Sequence, residues 1–198
     1  PGDIVYDPFM GRGTTLMEAA LMGRMPARCD VNPLSTVLVR PRLSPPSLTA
    51  IADRLKKIDF STATDLPEDL LVFYHPETLR QIVSLKDYLL RQKKLDPVDD
   101  WIRVLALNRL TGHSPGFFSV YTLPPNQAVS VKSQRKINAD RKQVPPPRDV
   151  PKLILKKSRQ LLKDCTTRDR ATLAKVATRS LLLTQTSDDT PEIRSNSV

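Results

Sequence analysis

No apolar run in this sequence is long enough to cross a bilayer, and the chain opens without the basic, apolar and small-residue order of a signal segment. A cytoplasmic chain with no membrane partner is the expectation. Cysteine is scarce: Cys29 and Cys165 stand far apart in sequence in an otherwise intracellular-looking chain, and reduced thiols are the default reading. No metal site is implied. Acid is in short supply, with 21 Asp and Glu against 31 Lys and Arg, a formal charge of +10. That imbalance suits a polyanionic partner, nucleic acid being the economical choice. Aromatic residues are absent after Tyr121, and seven of the ten lie between Phe73 and Tyr121, where most are read as core. Apolar residues make up 39% of the chain, enough for one moderate core and too many for a chain disordered throughout.

What the sequence does hold is concentrated near its start. Ile4-Val5-Tyr6 reads as a buried strand, Gly11 and Gly13 permit a tight turn, and Thr14 is the expected cap of a helix continuing through Leu16, Ala19, Ala20 and Leu21. A ligand is expected at that helix start. About 20 residues on, the spacing at which dinucleotide folds put a ribose-binding acid, stands Ala27-Arg28-Cys29-Asp30-Val31-Asn32-Pro33, with Asp30 the expected hydroxyl acceptor. No Gly-Lys-Ser/Thr follows the glycine turn, which excludes a phosphate-binding loop.

The run Asp7-Pro8-Phe9-Met10-Gly11-Arg12-Gly13-Thr14-Thr15, followed by Glu18-Ala19, resembles the S-adenosylmethionine-binding motif of the DNA amino-methyltransferases, Asp-Pro-Phe-x-Gly-x-Gly-Thr-Thr. These enzymes methylate adenine N6 or cytosine N4. The resemblance implies an α/β chain, part of a Rossmann-like S-adenosylmethionine methyltransferase fold, with a largely helical insertion. It implies that Asp7, Pro8, Phe9, Gly11, Gly13 and Thr14 wrap the methionine end of the cofactor, that Asp30 holds the ribose hydroxyls, and that Asn32 and Pro33 flank the adenine. DNA is the implied partner, in a site-specific or restriction–modification setting. RNA is an alternative that the cofactor loop does not exclude.

The family's second motif, a polar residue followed by Pro-Pro and an aromatic that stacks on a flipped base, has no good copy. Ser44-Pro45-Pro46-Ser47 lacks the aromatic, and Ser47 more simply caps a helix; Leu123-Pro124-Pro125-Asn126 lacks both flanks. No residue is therefore assigned as catalytic. The polar stretch Thr190–Val198 reads as a turn entering the strand that would bear that motif, so the expectation is a segment of a longer methyltransferase. A nucleic-acid-binding module that performs no methylation is the alternative class. A methyltransferase of protein or small molecules is disfavoured by the motif and the basic charge.

Four segments are expected along the chain: the cofactor-binding start over 1–40, a helical insertion over 41–120, a basic helical segment and candidate DNA contact over 121–185, and the turn over 186–198. Pro41, Pro45 and Pro46 interrupt the chain. Helices are expected after Ser47, with Leu48, Ile51, Ala52, Leu55 and Ile58 on one face, and from His75-Pro76 and Asp96-Pro97. Between Lys132 and Lys163 stand eleven Lys and Arg against Asp140 and Asp149, which is either a nucleic-acid contact or a solvated face. Two helices, about Val150–Lys163 and Thr167–Leu183, are expected to close on each other through Ile154, Leu161, Leu162, Leu173, Ala174 and Leu181, with Thr166-x-x-Asp169 as a capping box. The loop Thr111–Phe118 either faces a base or cofactor or folds into the core, with His113 satisfying a turn or meeting a phosphate.

Overall fold

A computed structural model describes residues 2–123, 127, 129–194 and 197–198. The chain forms β1 (Ile4–Asp7), α1 (Thr14–Leu21), β2 (Met25–Cys29), α2 (Pro33–Leu43), α3 (Leu48–Lys57), a 3-10 turn (Glu68–Val72), α4 (Pro76–Arg91) and α5 (Pro97–Leu107). It continues through α6 (Val131–Asp140), α7 (Val150–Leu162), α8 (Thr167–Ala177) and β3 (Leu181–Leu183). Two compact units result: Pro1–Pro46 with Leu162–Val198, and Ser47–Leu161.

The first unit is a parallel sheet in the order β1-β2-β3 with helices α1, α2 and α8. Ile4 pairs with Met25 and Asp7 with Arg28; Ala27 pairs with Leu181 and Cys29 with Leu183. Pro26 is tolerated inside the middle strand. Met25 donates to Asp3 on the β1 side and Asp30 to Leu183 on the β3 side, so Pro26 faces β3 one residue before that strand begins. Met10, Leu16, Ala20, Val39, Leu43, Leu173 and Val176 form the core.

Three expectations need correction here. The helix expected over Thr167–Leu183 ends at Ala177, and Leu181–Leu183 is a strand. A short apolar run does not reveal its period, and these leucines gain a ladder with β2. The expected pairing of the last two helices is also replaced: Leu173 packs on Met10, Leu16 and Val39 of the first unit, while Ile154 is buried in the second. The segment expected as one basic stretch, 121–185, is thus divided between the units at Leu161 and Leu162. Finally, Pro41 does not break the chain. It sits inside α2, which ends at Leu43 with Ser44 as its C-cap before Pro45, and Arg40 and Arg42 in the last turn suit the negative end of the helix dipole.

The second unit is helical. Its starts follow the polar residues read from the sequence: Ser47 Oγ accepts from Ala50 N at 3.1 Å, His75 Nδ1 from Glu77 N at 3.2 Å, and Asp96 Oδ1 from Val98 N and Asp99 N at 2.9 Å each. Arg54 of α3 bonds Asp96 at 2.7 Å and Asp99 at 2.5 Å, and Tyr88 of α4 donates to Asp99 at 3.2 Å. Trp101 Nε1 of α5 donates to the buried Ser158 Oγ of α7 at 3.1 Å. The loop after α5 folds inward: Phe118 is buried, Gly112 N donates to Ser119 Oγ at 3.2 Å, and the Arg109 guanidinium lies 4.5 Å from the Phe117 ring centroid. Its aromatics are core.

Candidate cofactor site

At the carboxyl end of β1 the chain turns sharply. Asp7 Oδ1 accepts from Phe9 N at 3.1 Å, and Gly13 N donates to Met10 O at 2.8 Å, while the Met10 side chain enters the core. Gly11 has φ 52° and Gly13 φ 75°, the left-handed region that glycine adopts without cost. A Cβ at Gly13 would lie 2.3 Å from Val39 Cγ2, so α1 and α2 approach only because that side chain is absent. Thr14 is not the cap that the sequence suggested. Gly13 holds the N-cap position with no side-chain bond, and Thr14 is the first helical residue. The start of α1 therefore keeps backbone N–H groups that no side chain caps.

Asp30, just past β2, closes the turn. Its Oδ2 accepts from Gly11 N at 3.0 Å and its Oδ1 from Asn32 N at 2.9 Å. The carboxyl is held below its usual range by the Asn32 amide first, then against a desolvation cost by the Ser35 hydroxyl, the Gly11 amide and the Arg28 charge. Each oxygen has accepted one of these amides, leaving acceptor capacity on the carboxylate. Asn32 has a structural task too: its Oδ1 accepts from Leu34 N at 3.0 Å and caps α2, with Pro33 in the first turn. The structure thus brings Asp7, Pro8, Phe9, Gly11, Gly13, Thr14, Asp30 and Asn32 to one end of the sheet, the edge at which open α/β sheets bind ligands. Phe9 is 81% exposed there.

Sequence reasoning passed over Arg28. It is fully buried; Nη1 donates to Leu183 O at 3.2 Å, Nη2 bonds Thr36 Oγ1, and Thr36 Oγ1 is 3.1 Å from Thr184 Oγ1. Arg28 Nε is buried with no hydrogen-bond partner. Burial pushes its pKa down, and Asp30 opposes that shift. Arg28 ties the end of β3 and the start of α2 to the strand that presents Asp30. Its signal in the sequence was a lone cation between Ala27 and Cys29 in an expected strand. Cys29 Sγ lies near Gln185 O and Thr186 O, 2.8 and 3.1 Å away, so this thiol serves the same corner.

The other motif candidates fall to structural roles. Pro45 O and Pro46 O accept from Arg170 Nη1 at 2.5 and 3.1 Å, and Ser47 caps α3. Pro124, Pro125 and Asn126 of the second candidate lie outside the described residues, as do Ser195 and Asn196 of the final polar stretch. Among the described residues no group of three or more His, Cys, Asp and Glu could hold a metal ion, and no helix is long and apolar enough to cross a membrane.

Over 99 residues, 50% of this chain, the sequence is 27% identical to the Type II methyltransferase M.MvaI of Kocuria varians. The likeness is to a methyltransferase. The match spans 19% of that enzyme's length. No family model and no solved structure matches the chain.

Proposed function

We propose that this chain is the cofactor-binding part of an S-adenosylmethionine-dependent methyltransferase acting on an exocyclic amine of adenine or cytosine in DNA, within a partial Rossmann-like methyltransferase fold. The observation that carries the reading is the Asp30–Gly11 clamp, a ribose-type acid bonded to the loop that bears the Asp-Pro-Phe-x-Gly-x-Gly-Thr-Thr motif. The likeness to a methyltransferase supports the reaction class, and the +10 charge supports a polyanionic substrate.

The residues present fit the cofactor. A Cβ at Gly11 would meet only Phe9 O, at 3.9 Å, so the loop surface is open for close backbone approach. Asp30 keeps acceptor capacity for a hydroxyl, Asp7 offers a carboxylate to an amino group, and the uncapped start of α1 suits a carboxylate. When bound, S-adenosylmethionine supplies an electrophilic methyl group on a sulfonium. The work left to these side chains is to hold and orient; amine methylation by proximity needs no strong side-chain base.

Titration of the chain with S-adenosylmethionine by calorimetry tests this reading. Binding is expected to fall at least tenfold in Asp30→Ala. Phe9→Ala, at an exposed ring whose removal does not disturb the core, is expected to weaken binding with the circular dichroism spectrum unchanged. A folded chain that takes up no S-adenosylmethionine refutes the proposal and favours a non-catalytic nucleic-acid module.

A further inference from the structure

Helix α6 carries its charges against its own dipole. Lys132, Arg135 and Lys136 are exposed and fall in its first six residues, toward the positive end of the helix dipole, where Ser130 is the cap and no acid lies in the first turn. Asp140 closes the helix, where a cation would be favoured. The turn that follows adds exposed Arg141 and Lys142, and Lys142 has φ 49°, a conformation ordinarily left to glycine. Of these cations Arg141 is accounted for by its place at the helix C-cap and by the Tyr121 ring, whereas Lys132, Arg135 and Lys136 gain nothing from the helix dipole. In α7, by contrast, Lys152 pairs with Asp149 at 3.0 Å and Arg159 sits in the last turn, so that helix accounts for those cations itself.

The cations of α6 are also aimed. At i, i+3 and i+4, Lys132, Arg135 and Lys136 share one face. The other side is fastened by amide side chains. Fully buried Gln134 donates through Nε2 to Tyr121 O at 3.0 Å and Asn138 Oδ1 at 2.7 Å, and Asn138 Nδ2 donates to Val72 O at 2.8 Å. Gln143 Nε2 donates to Tyr121 O at 3.0 Å and Asn138 Oδ1 at 2.8 Å. Arg141 is held over Tyr121, 3.8 Å from the ring centroid. The acid nearest these cations outside the helix is the exposed Asp69, 4.0 Å from Arg135, a pairing of little strength in water.

We infer that α6 and its following turn form a docking surface for the phosphate backbone of double-stranded DNA. This rests on the DNA reading above, and charge complementarity selects the partner. A ten-residue helix spans about 15 Å, and a duplex presents a negative charge about every 1.7 Å along its axis, so several phosphates lie within reach of Lys132, Arg135 and Lys136 on this face. Phosphates at the start of α6 would also meet the positive helix end that the lysines oppose. Such contacts set the register of the protein on DNA without reading bases.

The test uses the full 198-residue chain, the α6 variant K132S/R135S/K136S and an α7 control with equal charge loss, K152S/K156S/R159S. Duplex DNA affinity is measured by fluorescence anisotropy from 50 to 200 mM salt, with S-adenosylmethionine calorimetry and thermal melting on each protein. The α6 variant is expected to lose at least tenfold in affinity at 50 mM salt. Its log–log salt slope should become shallower by about 2 to 3, while cofactor affinity and melting temperature hold. The control is expected to change less than threefold. Equal losses in both variants, or no loss in the α6 variant, overturn the α6 surface alone. A parent chain that binds S-adenosylmethionine but no duplex DNA overturns the DNA reading and this inference with it. Tighter binding of an RNA duplex of the same sequence overturns the choice of DNA.

Discussion

Gly13 shows how one missing side chain can fix a corner. Its φ of 75° and the 2.3 Å that a Cβ would leave to Val39 Cγ2 are two separate obstacles to substitution. Valine is stiff at χ1, so the contact is not relieved by a rotamer change. Gly13→Ala is expected to destabilise the chain by about 3 kcal/mol, part from overpacking and about 1 kcal/mol from the left-handed backbone. Adding Val39→Ala should recover the steric part and leave the backbone part, read by urea denaturation. Full recovery in the double variant would show that the backbone conformation carries no cost. The glycine was legible in the sequence as a turn residue. Its contact with Val39, 26 positions away, was not, because helix-to-helix distance is a property of packing.

Among the elements, α3, α4 and α5 are joined by one polar knot. Asp99 has a side chain only 5% exposed, and it receives Arg54 at 2.5 Å and Tyr88 at 3.2 Å. Taking away Arg54 leaves that carboxylate buried with its strongest partner lost, which costs far more than an exposed ion pair is worth. Arg54→Met is expected to destabilise by about 3 kcal/mol, with Arg54→Met/Asp99→Asn milder than the single change. An equal loss in both would show that packing of the arginine stem, rather than the charge, is what matters. The helices themselves were legible from apolar spacing and caps at Ser47, His75 and Asp96. The knot was not, since Arg54 and Asp99 sit 45 residues apart and nothing in the local pattern around either joins them. β3 was misread for a related reason: three leucines have no period, and only β2 beside them decides for a strand.

For the whole molecule, acid pH acts through two effects of the same sign. Asp30, Asp96 and Asp169 all have carboxyl groups held below the usual value. Asp30 is held by its Asn32 amide foremost and Asp169 by the Thr166 hydroxyl; Asp96 is held by Arg54 although desolvation works the other way. A carboxyl with a depressed folded pKa contributes stability above its unfolded value, and that contribution is lost as pH falls through the folded value. The loss is expected below about pH 5. Protonation also raises a net charge that is already +10, adding self-repulsion. The melting temperature should hold from pH 8 to 6 and fall steeply from pH 5 to 3, with Asp30→Asn lower at pH 7 and shallower below pH 5. An Asp30→Asn profile parallel to the parent would place the acid sensitivity elsewhere.

Local residue pattern was sufficient for the strand, glycine turn and helix at the start and for most helix starts, because each depends on neighbours within a few positions. The basic character of the chain was equally plain from composition. Tertiary structure alone decided that α8 and β3 return to complete the sheet of the first unit, that Arg28 is buried beneath the Asp30 turn, and that amide contacts from Gln134 and Asn138 set the facing of α6. These outcomes depend on which distant segments exclude water together, and no window along the sequence contains both partners.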